Sequence, residues 1–233
     1  PGPGPSYCGY GGVQLPGKGV SGVKTGILFD LDGTLWDSVP QVCAAFNRVF
    51  DRHPELHKHL TEEELRGYMG KQRMEVAAVM MPMAPPDRWY DLMEELFAEQ
   101  LPYLREHHAA PYPHLAQTLE ALSRDYPLAI VSNCQTGYIE TFLDTMGVGA
   151  YFVDHECSDT GLTKGENIRL VMERNGIDRA FYLGDTQGDL NAADQAGIPF
   201  VHAAYGFGRV DRAVPAIQEL SQLPALARKL LEG

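Results

Sequence analysis

The run "GILFD" ends in Asp30, and Asp32 follows after a single Leu, with Gly33 and Thr34 behind it. Acidic residues are poor strand formers and costly to bury. Two of them where a buried strand stops therefore call for a chemical reason. Three further places carry groups of similar promise. Ser132 and Asn133 close the run "LAIVSN"; Asp185 closes "AFYLGD", with Asp189 four residues on; Lys164 stands just before a helical stretch. Singly, each has an ordinary explanation as a turn former, a helix cap or a solvated surface charge. Together they make a stricter demand. Three carboxylates at strand ends repel one another unless a cation holds them, and a few hard oxygen ligands suit Mg²⁺, which keeps waters and joins substrate phosphates. The other members supply what a phosphate needs: a hydroxyl, backbone N–H groups near Gly33 and Thr34, and a lysine.

Such groups converge only if the strands that carry them are neighbours. "GILFD" reads as a buried strand, and residues 38 to about 53 as a helix with Ser38 at its N-cap and Pro40 in its first turn. "TEEE" at residues 61–64 matches a capping box. Helical spacing returns over residues 71–81 and 87 to about 107, so the segment from Trp36 to Ala109 reads as all helical. Helices then alternate with the strands "LAIVSN", "YFVDHE", "AFYLGD" and "PFVHAAYG", the last clear strand, before a final helix over residues 217–231. Apolar strands alternating with helices predict an α/β fold: a Rossmann-like, doubly wound parallel sheet covered on both faces. The helical block falls between the first strand and the rest and reads as an inserted domain. The expected division is an irregular Pro/Gly-rich tail over residues 1–22, an α/β core over 23–36 and 110–233, and a helical cap over 37–109. The tail reads as non-native, with Val23 as an alternative start. In sheets of this kind, ligands bind beyond the carboxyl ends of the strands, where all the candidates sit.

A net charge of −12 over 233 residues argues against a phosphate-backbone binder, so no nucleic acid is expected. No apolar run approaches the ~20 residues of a membrane span, and no signal peptide is visible. Four cysteines without a CxxC pair read as free thiols of a reducing, cytoplasmic setting. Nothing in the chain specifies an oligomeric state.

"DLDGTLWDS", "VSN", Lys164 and "GDTQGDLNAADQAG" resemble, in order and spacing, the four motifs of the haloacid dehalogenase-like hydrolases over about residues 24–208. The helical insert resembles the type 1 cap of the phosphoglycolate phosphatase and β-phosphoglucomutase branch. The resemblance implies a role for each residue. Asp30 would attack phosphorus and become an aspartyl phosphate. Asp32 would protonate the leaving oxygen, then act as base on water, and would offer its backbone carbonyl to Mg²⁺. Asp185 would be a side-chain metal ligand, with Asp189 helping directly or through water. Ser132 and Asn133 would bind phosphoryl oxygens, beside Gly33 and Thr34, and Lys164 would offset charge. The third motif commonly reads Lys-Pro and here reads "TKGEN".

Asp32 argues against a dehalogenase, since a halide needs no proton. No His lies near Val42, which counts against a sugar phosphomutase, and neither Lys58 nor Lys71 sits in a phosphonate-hydrolase motif. A Mg²⁺-dependent phosphatase of a small phosphorylated metabolite remains, with a pyrophosphatase, a phosphomutase and a non-catalytic phosphoacceptor as alternatives. A Gly-bounded loop, "GYMGKQRME", carries Lys71 and Arg73, which would meet an anionic leaving group from the cap; the plainer reading is two solvated charges. Cys134 beside the phosphate site offers a redox switch, set against a packed, inert thiol. Trp36 reads as packing.

Overall fold

The computed structural model of the protein describes residues 22–231; all but the last residue of the tail expected over residues 1–22, Cys8 included, lies outside them. A six-stranded, all-parallel sheet runs in the order β5 (Phe152–Glu156), β4 (Leu128–Val131), β1 (Thr25–Phe29), β6 (Arg179–Gly184), β7 (Phe200–Ala203), β8 (Ala216–Ile217). β1 lies at its centre, with Leu28 beside Ala129 on one flank and beside Tyr182 on the other. The site-bearing strands β4, β1 and β6 are thus immediate neighbours.

The alternation of β1 separates two apolar layers. Ile27 and Phe29 pack with Leu115 and Leu119 of α5 (Leu115–Ser123) and Phe142 of α6 (Tyr138–Met146). Leu28 packs with Ile168 and Val171 of α7 (Lys164–Arg174) and Leu190 of α8 (Gln187–Ala196). The three β1 side chains are fully buried, each contributing on the order of 1.5–3 kcal/mol. A strand apolar on both faces is what a sheet covered on both sides requires.

Between β1 and α5 the chain leaves the sheet and returns. β2 (Trp36–Asp37) pairs antiparallel with β3 (Ala110–Pro111), Trp36 opposite Pro111. Between them run α1 (Val39–Arg52), α2 (Glu62–Arg66), α3 (Arg73–Met80) and α4 (Trp89–Glu106), with α1 against α4 through the Phe46–Phe97 ring pair. The capping box at Thr61 is formed: Glu64 N–H donates to Thr61 Oγ1, and Thr61 N–H to Glu64 Oε2.

Four local expectations are corrected. The segment from Trp36 to Ala109 is not helical throughout, because residues 36–37 pair with the returning chain. The helix expected from residue 71 starts at Arg73, after Gly70 at a positive φ of 78°. The final helix, α9 (Leu223–Leu231), starts six residues late, because Ala216–Ile217 add a sixth strand beside β7. Ser38 precedes α1 without capping it through its side chain; Asp37 Oδ1 accepts the Val39 N–H instead. No helix among the described residues is long and apolar enough to cross a membrane.

Candidate active site

The carboxyl ends of β1, β4 and β6 meet at a buried acidic cluster. One carboxylate oxygen each from Asp30, Asp185 and Asp189 lies within 4.8 Å of the others. Lys164, the first residue of α7, donates from Nζ to Asp30 Oδ1 at 2.6 Å and to Asp189 Oδ1 at 2.5 Å. Its placement follows from a capping box that starts α7 at Thr163. Gly165 follows where a Cβ would run into Gln195 of α8. The departure from Lys-Pro thus permits close packing of α7 on α8. Burial alone would pull the Lys164 ammonium down, but Asp189 and Asp30 outweigh it and hold it well above its ordinary value.

One ammonium does not neutralise three carboxylates. Burial, then repulsion from Asp189, pushes Asp30 up to about 7 despite Lys164. Asp185 is pushed up to about 8 by burial and by Asp189 and Asp30. Asp185 Oδ2 accepts the N–H groups of Phe207 and Gly208 at 2.7 and 3.2 Å, but buried Oδ1 has no hydrogen-bond partner. An orphaned buried oxygen in an under-neutralised acidic cluster fits a small divalent cation. Asp189 differs: its Oδ2 accepts the Thr186 hydroxyl at 2.7 Å and the Asp185 and Thr186 N–H groups, so the carboxylate also serves as the N3 partner of the capping box that opens α8.

Asp32 occupies different surroundings. Its Oδ1 accepts Ser38 Oγ at 2.6 Å, Tyr138 Oη at 2.8 Å and Trp36 Nε1 at 2.9 Å. All three donors reach one oxygen, which fixes the carboxyl plane. Burial raises the Asp32 acid above its usual value, and the three hydrogen bonds oppose that rise. Asp30 and Asp32 are thus adjacent acids in two environments, one beside an ammonium in the cation site, the other gripped by neutral donors. Sequence reasoning missed Tyr138 altogether and read Trp36 as packing and Ser38 as a helix cap. Only Ser38 and Trp36 carried a signal, in their nearness along the chain to Asp32.

Gly33 and Thr34 are not free N–H donors. Gly33 N–H donates to Trp36 O, and Thr34 N–H to Leu31 O, because the chain turns tightly here. No hydrogen bond among the described residues takes up the Leu31 or Asp32 N–H. Gly33 instead has a steric role: at φ 81°, a Cβ on it would collide with the Asp185 carboxylate. The Thr34 hydroxyl is buried without a partner.

A cavity of about 100 Å³ joins Asp30, Asp32, Ser132 and Asn133 to the helical segment. Asn133 Nδ2 donates to Gly70 O at 3.0 Å across it. Lys71 and Arg73 both line it. The Arg73 guanidinium, however, is bound to Glu94 at 2.5 Å and to Asp159 at 3.3 Å, over the Phe97 ring. Cys134 also lines the cavity, with its thiol pushed well above the ordinary value by burial and then by Cys157. That is the opposite of a reactive thiolate.

The sequence profile of the haloacid dehalogenase-like hydrolases matches residues 27–203. The phosphoglycolate phosphatases of Shigella boydii serotype 4 and Escherichia coli strain K12 are each 28% identical to this chain over 233 residues, covering 86% of it and 92% of their own lengths. A haloacid dehalogenase-like hydrolase from Streptococcus pneumoniae superposes with a TM-score of 0.75 at 22% identity, covering 88% of this chain and 98% of its own. The chain therefore belongs to the haloacid dehalogenase-like hydrolases and is a phosphatase of that family.

Proposed function

We propose that the chain is a Mg²⁺-dependent phosphatase of a small phosphate monoester, similar to phosphoglycolate phosphatase, that works through an aspartyl phosphate on Asp30. The observation that carries this reading is the pair Asp30 and Asp32 facing one cavity with opposite surroundings. In the first half, an Asp30 carboxylate oxygen attacks phosphorus and the bond to the leaving oxygen breaks. Asp32 hands that oxygen a proton. In the second half, Asp32 takes a proton from water as the water attacks phosphorus, and the bond from phosphorus to the Asp30 oxygen of the acyl phosphate breaks, which returns the carboxylate. Asp30, Asp185, the Asp32 carbonyl and Asp189 would hold Mg²⁺, which when bound offsets the negative charge of the carboxylates and the phosphoryl group. Lys164 favours the ionised form of Asp30 against burial and lends positive charge to the phosphoryl oxygens. Ser132, Asn133 and the unengaged N–H groups of Leu31 and Asp32 would receive those oxygens.

Residues 37–109 act in this reading as a cap over a core of residues 23–36 and 110–233, with the β2–β3 pair as the crossing between them. Asn133 to Gly70, Arg73 to Asp159 and the Arg66 guanidinium over the Phe207 ring at 5.0 Å are the contacts that support a closed cap. The cytoplasm is the proposed setting, supported by free thiols at Cys43 and Cys134. Phosphate release from p-nitrophenyl phosphate tests the reading. Release should require Mg²⁺ and vanish in Asp30→Asn and Asp32→Asn. A stable phosphoprotein without turnover would sink it in favour of a phosphoacceptor regulator.

A further inference from the structure

The cavity wall contributed by the helical segment is apolar. Val42 and Phe46 of α1, Leu65 of α2, Met69 beyond it, and Met93 and Phe97 of α4 line it. Besides Tyr68, Lys71 and Arg73, one buried polar pair meets this wall, Gln100 of α4 with Gln135 of the loop after β4. Gln135 Nε2 donates to Gln100 Oε1 at 2.8 Å, with both residues buried. The pair leaves an amide NH₂ on Gln100 and an amide carbonyl on Gln135 at the lining. Arg73 faces the same cavity, but Glu94 and Asp159 already take up its charge. The other basic residue of the lining, Lys71, is exposed.

A leaving group that carries a carboxylate would bring a further anion into a cavity already lined by Asp30 and Asp32. It would lie against the apolar wall, beside an Arg73 guanidinium whose charge Glu94 and Asp159 already balance, and that placement is costly. An uncharged group meets no such penalty and gains from the apolar wall. Size limits it as well. A dry cavity of ~150 Å³ holds benzene; about 100 Å³ encloses less than that, so the part of the leaving group that the wall covers is only a few carbons long.

We propose that the alcohol released by this enzyme is short and uncharged, with an apolar flank against α1 and α4 and one hydroxyl or amide-like group for the Gln100–Gln135 pair. The proposal rests on the phosphatase reading and departs from a carboxylate-bearing alcohol such as glycolate. The test is a panel assayed with the full chain and Mg²⁺: isobutyl phosphate, propane-1,2-diol 1-phosphate, 2-phosphoglycolate and p-nitrophenyl phosphate. The two neutral aliphatic esters should exceed 2-phosphoglycolate in kcat/KM by about tenfold or more, the scale on which pocket polarity discriminates. In the double variant Glu94→Gln, Asp159→Asn, which frees Arg73 at two surface positions, that gap should narrow. Turnover of 2-phosphoglycolate at or above the neutral esters overturns the proposal and leaves the phosphatase reading intact. An unchanged gap in the double variant removes the role given to Arg73. Absence of Mg²⁺-dependent release from every ester, p-nitrophenyl phosphate included, overturns both.

Discussion

Tyr138 Oη stands 2.8 Å from Asp32 Oδ1 and 2.8 Å from Ser38 Oγ, although Tyr138 and Asp32 are 106 positions apart. The contact joins the loop after β1 to the start of α6, so Asp32, the proposed general acid, is held from two elements. Trp36 completes the grip and packs edge-on against Tyr138 with ring centroids 5.7 Å apart. With three donors on Oδ1, the proton that reaches the leaving oxygen belongs on Oδ2.

Removing one of those donors should hurt most where the leaving group needs the proton most. Tyr138→Phe keeps the ring and its packing. It should lower kcat by about tenfold for an alkyl phosphate, a fraction of what a positioned general acid contributes. For p-nitrophenyl phosphate, whose phenolate leaves with little help, the loss should be small. Steady-state kinetics on the two esters checks this. Equal losses on both would mean that the hydroxyl serves only packing.

Lys164 lies between Asp30 and Asp189, and the three side chains are almost fully buried. Lys164→Met leaves the two carboxylates without their cation. Breaking a buried pair in this way costs about 3–5 kcal/mol. The variant should be inactive and melt lower than the parent in the absence of divalent ions. Adding Asp189→Asn should recover part of the melting temperature but no activity, because Asp30 still lacks its partner. Thermal denaturation of the parent, the Lys164→Met and Asp189→Asn single variants and the double variant, read as a double-mutant cycle, measures the coupling.

The parallel sheet, the burial of β1 and the gathering of Asp30, Asp185 and Lys164 were legible because they follow from the positions of the strands, which rest on local patterns. An apolar run sets a strand, and its last residue falls at the carboxyl edge. Tyr138 was hidden because its partner is distant and nothing in "GYIE" distinguishes a hydroxyl aimed at Asp32 from an aromatic in a helix. The Gly33 and Thr34 N–H groups misled for a related reason: a Gly-containing turn after a strand reads as a phosphate cradle, yet the tight turn uses those donors internally. Arg73 read as a free cation because Glu94 and Asp159, 21 and 86 positions away, hold it.

Cation binding should depend on pH in a direction set by the acidic cluster. Asp30 and Asp185 sit at about 7 and about 8 in the cation-free fold, above the ordinary 3.8. Between those values the folded protein holds protons that the unfolded chain has released, so stability falls as pH rises through this window. The proposed Mg²⁺ would relieve that penalty by stabilising the ionised carboxylates. Its addition should therefore raise the melting temperature more at pH 8 than at pH 6, and its binding near pH 7 should release protons into the buffer. Calorimetry in buffers of different ionisation enthalpy checks the release, and an equal gain in melting temperature at both pH values would count against the assignment.

Gly33 tests whether the turn after β1 shapes the cation site through sterics alone. Its φ of 81° is left-handed, and a Cβ there would press into the Asp185 carboxylate. Gly147 makes the control: at φ 65° it closes α6, and nothing lies within 4 Å of an added Cβ. Gly147→Ala should therefore cost only the left-handed backbone penalty, about 1–2 kcal/mol, with Mg²⁺ affinity unchanged. Gly33→Ala carries the same backbone penalty and must also displace Asp185, whose unpartnered Oδ1 is the oxygen best placed to receive the cation. It should destabilise the fold more than Gly147→Ala and weaken Mg²⁺ binding in calorimetric titration. If Gly33→Ala bound Mg²⁺ as tightly as the parent, Asp185 would be free to move aside, and the close approach of the two residues would matter to the fold but not to the metal.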